Sequence, residues 1–266
     1  MPKARAEAEK ALAAGEIDFN MGFIGGFIAQ IDTGAPVIVL SGVHVGCFQL
    51  LARDAIRTVR DLKGKSVGIT ERGTGRHHFF VSLLGYIGLD HRRDVRFVER
   101  PPAESRQLFA DGKLDAYQAF AEEVYELRDR KVGRVLLDSA VDRPWSQYFC
   151  CVWAASPEFV RKHPVATRRA LRAFLKATDM CGLEPERSVR ILGERGFMPD
   201  GEHQTMLRLL RDLPFGKWRE TDPEDTVRFY ALRLREAGLI KASPQKILAD
   251  GTDWRFLNEL RKELKG

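Results

Sequence analysis

No apolar run in this 266-residue chain approaches the roughly 18 residues that a membrane-spanning helix needs; stretches such as Val37–Leu40 are strand-sized. Cysteine is scarce. The four cysteines, Cys47, Cys150, Cys151 and Cys181, form no Cys-x-x-Cys, which argues against a zinc ribbon or a thioredoxin-type pair. Cys150 and Cys151 are adjacent in a strand-like run, so their side chains are expected on opposite faces, and buried free thiols are the expected state. The histidines lack metal-ligand spacing. His77 and His78 are neighbours on a predicted helix and point about 100° apart, and His44, His91, His163 and His203 stand alone. No metal site and no cofactor are expected. Nor is there a Gly-x-Ser-x-Gly, a Cys–His pair or a close pair of carboxylates in a loop, so catalysis has little support.

The net charge of +6 and pI near 9.2 permit attraction to anions. No basic run alternates with aromatics in the way that tracks a nucleic-acid strand, so no nucleic-acid partner is expected. The densest basic stretch, 161–172, reads as one face of a helix. The first fifteen residues read as an Ala-rich amphipathic helix rather than as a charged head, apolar core and cleavage site, so no export signal is expected in the sequence as it stands.

What is present alternates. Helix is predicted over 3–14, closed by Gly15, followed by strands over 17–23, 36–45 and 47–53. Gly25 and Gly26 are expected to break the pattern before a short helix ending at Gly34. From Thr58 the alternation restarts with strands near 66–70, 95–99, 114–120 and 133–139 and helices between them. A strand over 145–155 leaves this unit, and the remainder is helical, punctuated by Pro164, Pro185, Pro199, Pro214, Pro223 and Pro244. No low-complexity linker appears. This is an α/β layer architecture.

One phrase occurs twice. LAAGEIDFNMGF (12–23) and FADGKLDAYQAF (109–120) match at one constant spacing: Ala13 with Ala110, Gly15 with Gly112, Ile17 with Leu114, Asp18 with Asp115 and Phe23 with Phe120. Each is a helix, a glycine cap and a strand ending in Phe. Two similar α/β lobes are expected to present these strand ends to a shared crevice, since ligands of open α/β sheets sit beyond the carboxyl ends of strands.

DLKGKSVGITERGTG (61–75), with HVGCFQLLA (44–52), VDRPWSQYFCCVWAA (141–155) and the twin phrase, resembles the periplasmic substrate-binding proteins of ABC importers. The closest type is that for nitrate, sulfonate and taurine, which shares its fold with the thiamine-pyrimidine synthase family. The resemblance covers residue 8 to the end. It implies a periplasmic-binding-protein type II-like fold, with two α/β lobes and a helical C-terminal region. Lobe 1 would hold residues 1–55 and 146–266 and lobe 2 residues 56–145. It implies a small-molecule solute, an ABC permease and an ATPase as partners, a monomer, and a periplasmic location (cytoplasmic if this start is genuine). Family members begin with a signal peptide and a strand, helix and strand that have no counterpart here, so lobe 1 is expected to be N-terminally incomplete, with a late-placed start as the favoured reason. An enzyme on the same fold, of the pyrimidine-synthase or decarboxylase kind, is the alternative; the Cys150–Cys151 pair falls short of the synthases' Cys-rich run.

The expected ligand residues follow. Gly73 and Gly75 permit a tight turn, Thr74 would cap the next helix, and free N–H groups at its start would seat an anion. Arg76 would add a bidentate grip. GTG alone is neither a P-loop nor a dinucleotide fingerprint. Phe23 with Gly25, and Phe120 with Glu122, end the twin strands. His44 lies at the end of a strand facing the cleft, and Trp145 lies where the chain crosses back between lobes.

Overall fold

The computed structural model describes residues 5–264. The twin phrase folds the same way twice. Helix α1 (Arg5–Ala13) leads into β1 (Phe19–Phe23) and α2 (Ile24–Asp32); α4 (Pro102–Ala110) leads into β6 (Ala116–Phe120) and α5 (Ala121–Asp129). Gly15 and Gly112 both turn the chain at positive φ, 73° and 79°, a conformation open to glycine at little cost. Phe23 and Phe120 both stand as the last extended residue before a helix.

Two sheets form. In the first, β8 (Phe149–Ala155) is the middle strand, antiparallel to β1 on one side and to β2 (Ile38–Val45) on the other. The second has the order β5-β4-β6-β3-β7, with β3 (Phe48–Ala52), β4 (Ser66–Ile69), β5 (Arg96–Glu99) and β7 (Arg134–Asp138). In it β4 runs parallel to β5 and β6, and β3 runs antiparallel to β6 and β7. Strand pairing therefore changes sheet between Val45 and Phe48, ahead of the boundary expected after residue 55. Two passages join the sheets, one at Gly46 and Cys47 and the other over 139–148. They are fastened together: the Ser139 hydroxyl accepts from the backbone N–H of Cys47 and Phe48 at 3.1 and 2.9 Å.

Helix α3 (Gly75–Tyr86) covers one face of the second sheet, while α4 and α5 cover the other. Helices α6 (Pro157–Lys162), α7 (Pro164–Leu183), α8 (Pro185–Glu194), α9 (His203–Asp212), α10 (Pro223–Glu236), α11 (Pro244–Gly251) and α12 (Arg255–Glu263) complete the chain. Five of these seven start on proline, which fits a first-turn position whose N–H has no partner anyway. Helix α10 packs on α2 and α3 together, so one apolar core runs from Val39 and Val152 of the first sheet to Leu50 and Val67 of the second. The basic stretch of α7 is a paired surface: Arg168 and Arg172 meet Glu259 and Glu263 of α12. Among the described residues no helix is long and apolar enough to cross a membrane.

Gly25 and Gly26 do not break the chain, as the sequence pattern predicts, but form the first turn of α2. They are small because of their neighbours. A methyl group on Gly25 would stand 2.4 Å from the Phe23 ring, and one on Gly26 would stand 3.1 Å from the Glu9 carboxylate.

Candidate ligand site at the junction of the sheets

The tips of the twin strands converge on one ring, Phe48. Phe23, from the first sheet, sets its ring edge-on to Phe48 at 5.3 Å; Phe120, from the second, stacks on the same Phe48 at 5.0 Å. Phe79 of α3 stacks on Phe48 at 4.5 Å. Trp145, buried on the return passage, touches Phe79, Tyr86, Phe229 and Tyr230. Phe23 lies so close to the start of α3 that a methyl group on Gly75 would be 3.0 Å from its Cβ. The crevice expected between the lobes is thus filled by rings. Two open surface depressions, about 460 Å³ beside Arg72, Arg92 and Arg96 and about 520 Å³ beside His163 and Arg169, are lined by other residues.

The loop before α3 departs from expectation in detail. Gly73 takes φ 77° and gives its N–H to His77 Nδ1 at 3.2 Å. Thr74 occupies the cap position without capping, because its hydroxyl turns back to donate to the Glu71 carbonyl at 2.8 Å. Arg76 does not reach outward. Both arms of its guanidinium hold the Glu123 carboxylate at 2.5 Å, and its plane covers the Phe120 ring at 4.1 Å. An acid within reach satisfies the fork that the sequence reading reserves for a ligand. Glu123 also accepts from the Phe120 N–H at 3.2 Å; Glu122 stands beside it in the first turn of α5. Behind the loop, burial pushes both His77 and His78 down to about 4, with His78, His91 and Arg72 adding repulsion at His77.

Gln118, two residues before Phe120 on β6, is fully buried, and neither end of its amide has a protein partner. An unpaired buried amide costs about 1–3 kcal/mol. Nothing in the sequence singles it out, because only the pairing of Gln118 with Leu50 places it beneath α3.

A second group escaped the sequence reading. His44 stands opposite Cys151 in the β2–β8 register, and Cys47 comes round the turn at Gly46 to join them. Cys47 Sγ lies 3.4 Å from Cys151 Sγ and 3.9 Å from His44 Nδ1. That nitrogen is 3.1 and 3.2 Å from the carbonyls of Gly46 and Val45. Burial lowers the His44 pKa, but the charge of the neighbouring thiols outweighs it, and the net direction is well upward. Burial pushes Cys47 up to about 11, whereas contacts from Cys150 and Cys47 hold Cys151 well below the ordinary thiol range. All four cysteines are free thiols, as expected, but the sequence shows no Cys–His pair because strand register, not spacing along the chain, brings these three residues together.

A family model described as NMT1/THI5 like matches residues 1–188. The chain belongs to that family. A Brucella abortus protein described as a candidate binding protein is 27% identical over 183 residues, 68% of this chain and 56% of its own length. The chain thus spans little more than half of the curated relatives it matches. The nitrate-binding protein NrtA of Synechocystis superposes with a TM-score of 0.76 at 14% identity, over 99% of this chain and 80% of its own. The aliphatic sulphonate binding protein SsuA of Escherichia coli gives 0.69 at 21%, over 92% and 79%. A Candida albicans protein described as having the generic periplasmic binding protein fold gives 0.72 at 15%, over 95% and 84%. The NMT1/THI5-like chain therefore has the periplasmic-binding-protein fold.

Proposed function

We propose that this chain is the solute-binding component of an ABC importer. It receives a small organic or inorganic anion, of the sulfonate, nitrate or taurine kind, between two lobes and passes it to a permease driven by an ATPase. The periplasm is the compartment in which such a component works. The observation that carries the reading is the convergence of Phe23, Phe120 and the first turn of α3 on one junction, crossed by two passages fastened at Ser139. The names of the sulphonate- and nitrate-binding neighbours support the anion class.

In this reading the ring-filled junction is the state that a solute must part. The first-turn N–H groups of α3 have no carbonyl within their own helix and carry the positive end of its dipole, so they face the anion. Phe23 and Phe120 sandwich its apolar part. The unpaired amide of Gln118 supplies a polar contact from beneath. Arg76 contributes by keeping Glu123 neutralised, so that the carboxylate does not repel the anion.

Thermal-shift screening against nitrate, taurine, alkanesulfonates, aromatic acids and pyrimidines, followed by calorimetry, tests this. One anion class should raise the melting temperature; at 100 times its Kd a ligand adds about 2.7 kcal/mol of stability. If none does, the importer reading loses its foundation. Gln118→Leu is the sharper probe. It should stabilise the free chain by about 1 kcal/mol, by removing an unpaired amide, while weakening solute binding; a variant that is stabilised and binds normally would remove Gln118 from the site.

A further inference from the structure

We propose that His44, Cys47 and Cys151 form a binding site for one thiophilic metal ion of the zinc or cuprous class, seated on the crossing between the two sheets. One donor atom from each residue lies within 4.8 Å of the others. Two thiolates sharing a tetrahedral zinc ion at ~2.3 Å each would stand about 3.8 Å apart, and a thiolate and an imidazole nitrogen about 3.6 Å apart. The separations here are 3.4 Å between the sulfurs and 3.9 Å between Cys47 Sγ and His44 Nδ1. Each is within a few tenths of an ångström of the co-ligand value. A disulfide would require the sulfurs to close to about 2.0 Å, a far larger movement.

The donor set points the same way. Two sulfurs and one imidazole nitrogen, with no carboxylate in the group, suit zinc or copper(I) and not magnesium or calcium. The donors also sit on fixed backbone. Strand pairing sets His44 against Cys151. Cys47 is placed by the turn at Gly46, whose φ of 69° and whose approach to Ala140, 2.4 Å from any added methyl group, leave room only for glycine. The Cys47 N–H is anchored on Ser139. Nδ1 is the His44 nitrogen that faces Cys47. On metal binding it exchanges its proton, and its contacts to the Val45 and Gly46 carbonyls, for the ion, and the two thiols release their protons. Three protein donors leave a fourth tetrahedral position for an exogenous ligand. The ion would tie the passage carrying Cys47 to the middle strand of the first sheet, which carries Cys151.

The full chain, reduced and freed of metal by a chelator, is titrated with Co2+ and then Zn2+ without any solute, so that failure to bind metal and failure to bind solute are separate results. The expected outcome is 1:1 binding with a sulfur-to-cobalt charge-transfer band that zinc bleaches. Zinc should also protect Cys47 and Cys151, but not Cys181, from maleimide, as mapped by peptide mass spectrometry. Cys47→Ser and Cys151→Ser should each weaken binding by about tenfold or more, and Cys181→Ser should not. If a serine variant does not fold, the labelling pattern of the unaltered chain decides. Labelling rates that zinc does not change, or a cobalt band that survives both serine substitutions, would overturn the site. So would a Cys47–Cys151 disulfide forming readily in air from a chain that shows no cobalt band, since that would make the pair a redox couple.

Discussion

Glycine has two different jobs along this chain, and substitution separates them. Gly46 and Gly73 both sit at positive φ, 69° and 77°, but only Gly46 is pressed against a neighbour, the Ala140 backbone. Gly73→Ala should cost about 1 kcal/mol, the conformational penalty alone. Gly46→Ala should cost roughly 3 kcal/mol, since overpacking adds about 1–3; urea denaturation measures both. Histidine sets the acid limit. His77 and His78 are held at about 4, below the unfolded value of about 6.5. The unfolded chain therefore binds more protons between those values. The stability that the neutral rings confer is whole above about pH 6.5 and is lost as pH falls toward 4, with roughly 2 kcal/mol per ring gone at pH 5. Denaturation midpoints at pH 7.5 and pH 5 should show this fall, and a His77→Gln, His78→Gln double variant should flatten it. At this scale the sequence was least legible. The residue types at the junction could be named, but not who holds whom: Arg76 spends its charge on Glu123, and the sequence offers no sign that an acid 47 positions away lies within 2.5 Å.

Elements were far easier to read. Apolar alternation, glycine caps and first-turn prolines outline the strands and most of the helices to within a few residues, because each signal is local. A local signal misleads where tertiary contact reassigns it. Gly25 and Gly26 look like a break and are a close-packed helix start; residues 47–53 look like a continuation of the first sheet and pair in the second. Capping shows the same limit. Thr74 has the residue type and place of a cap, yet among the described residues only Asp222, Ser156 and Ser243 accept from their own α-helices in this way. Asp222→Ala should cost about 1 kcal/mol in α10, whereas Thr74→Ala should change thermal stability little. A fall of similar size in both would mean that the Thr74 hydroxyl does cap α3. Trp145, wedged between α3 and α10, anchors the return passage; Trp145→Ala should cost about 3–5 kcal/mol, read by calorimetry.

At the scale of the molecule the twin phrase proved the most informative stretch of sequence, because duplication constrains geometry over long distances in a way that local patterns cannot. It anticipated that Phe23 and Phe120 approach one another. It did not anticipate that Phe48 and Phe79 fill the space between them, since that depends on how helix and sheet dock.

The strand order also dictates when each half can exist during synthesis. β8 is the middle strand of the first sheet, and β1 and β2 pair with it and not with each other. A nascent chain released as far as residue 140 holds every strand of the second sheet, yet its first sheet lacks the strand that joins the other two. The five-stranded half should therefore fold on the ribosome while the earlier-made segment waits. A stalled or truncated 1–140 chain should protect its amides over 48–138 from exchange and leave those of 19–45 open; equal protection of both would show that β1 and β2 find another partner first.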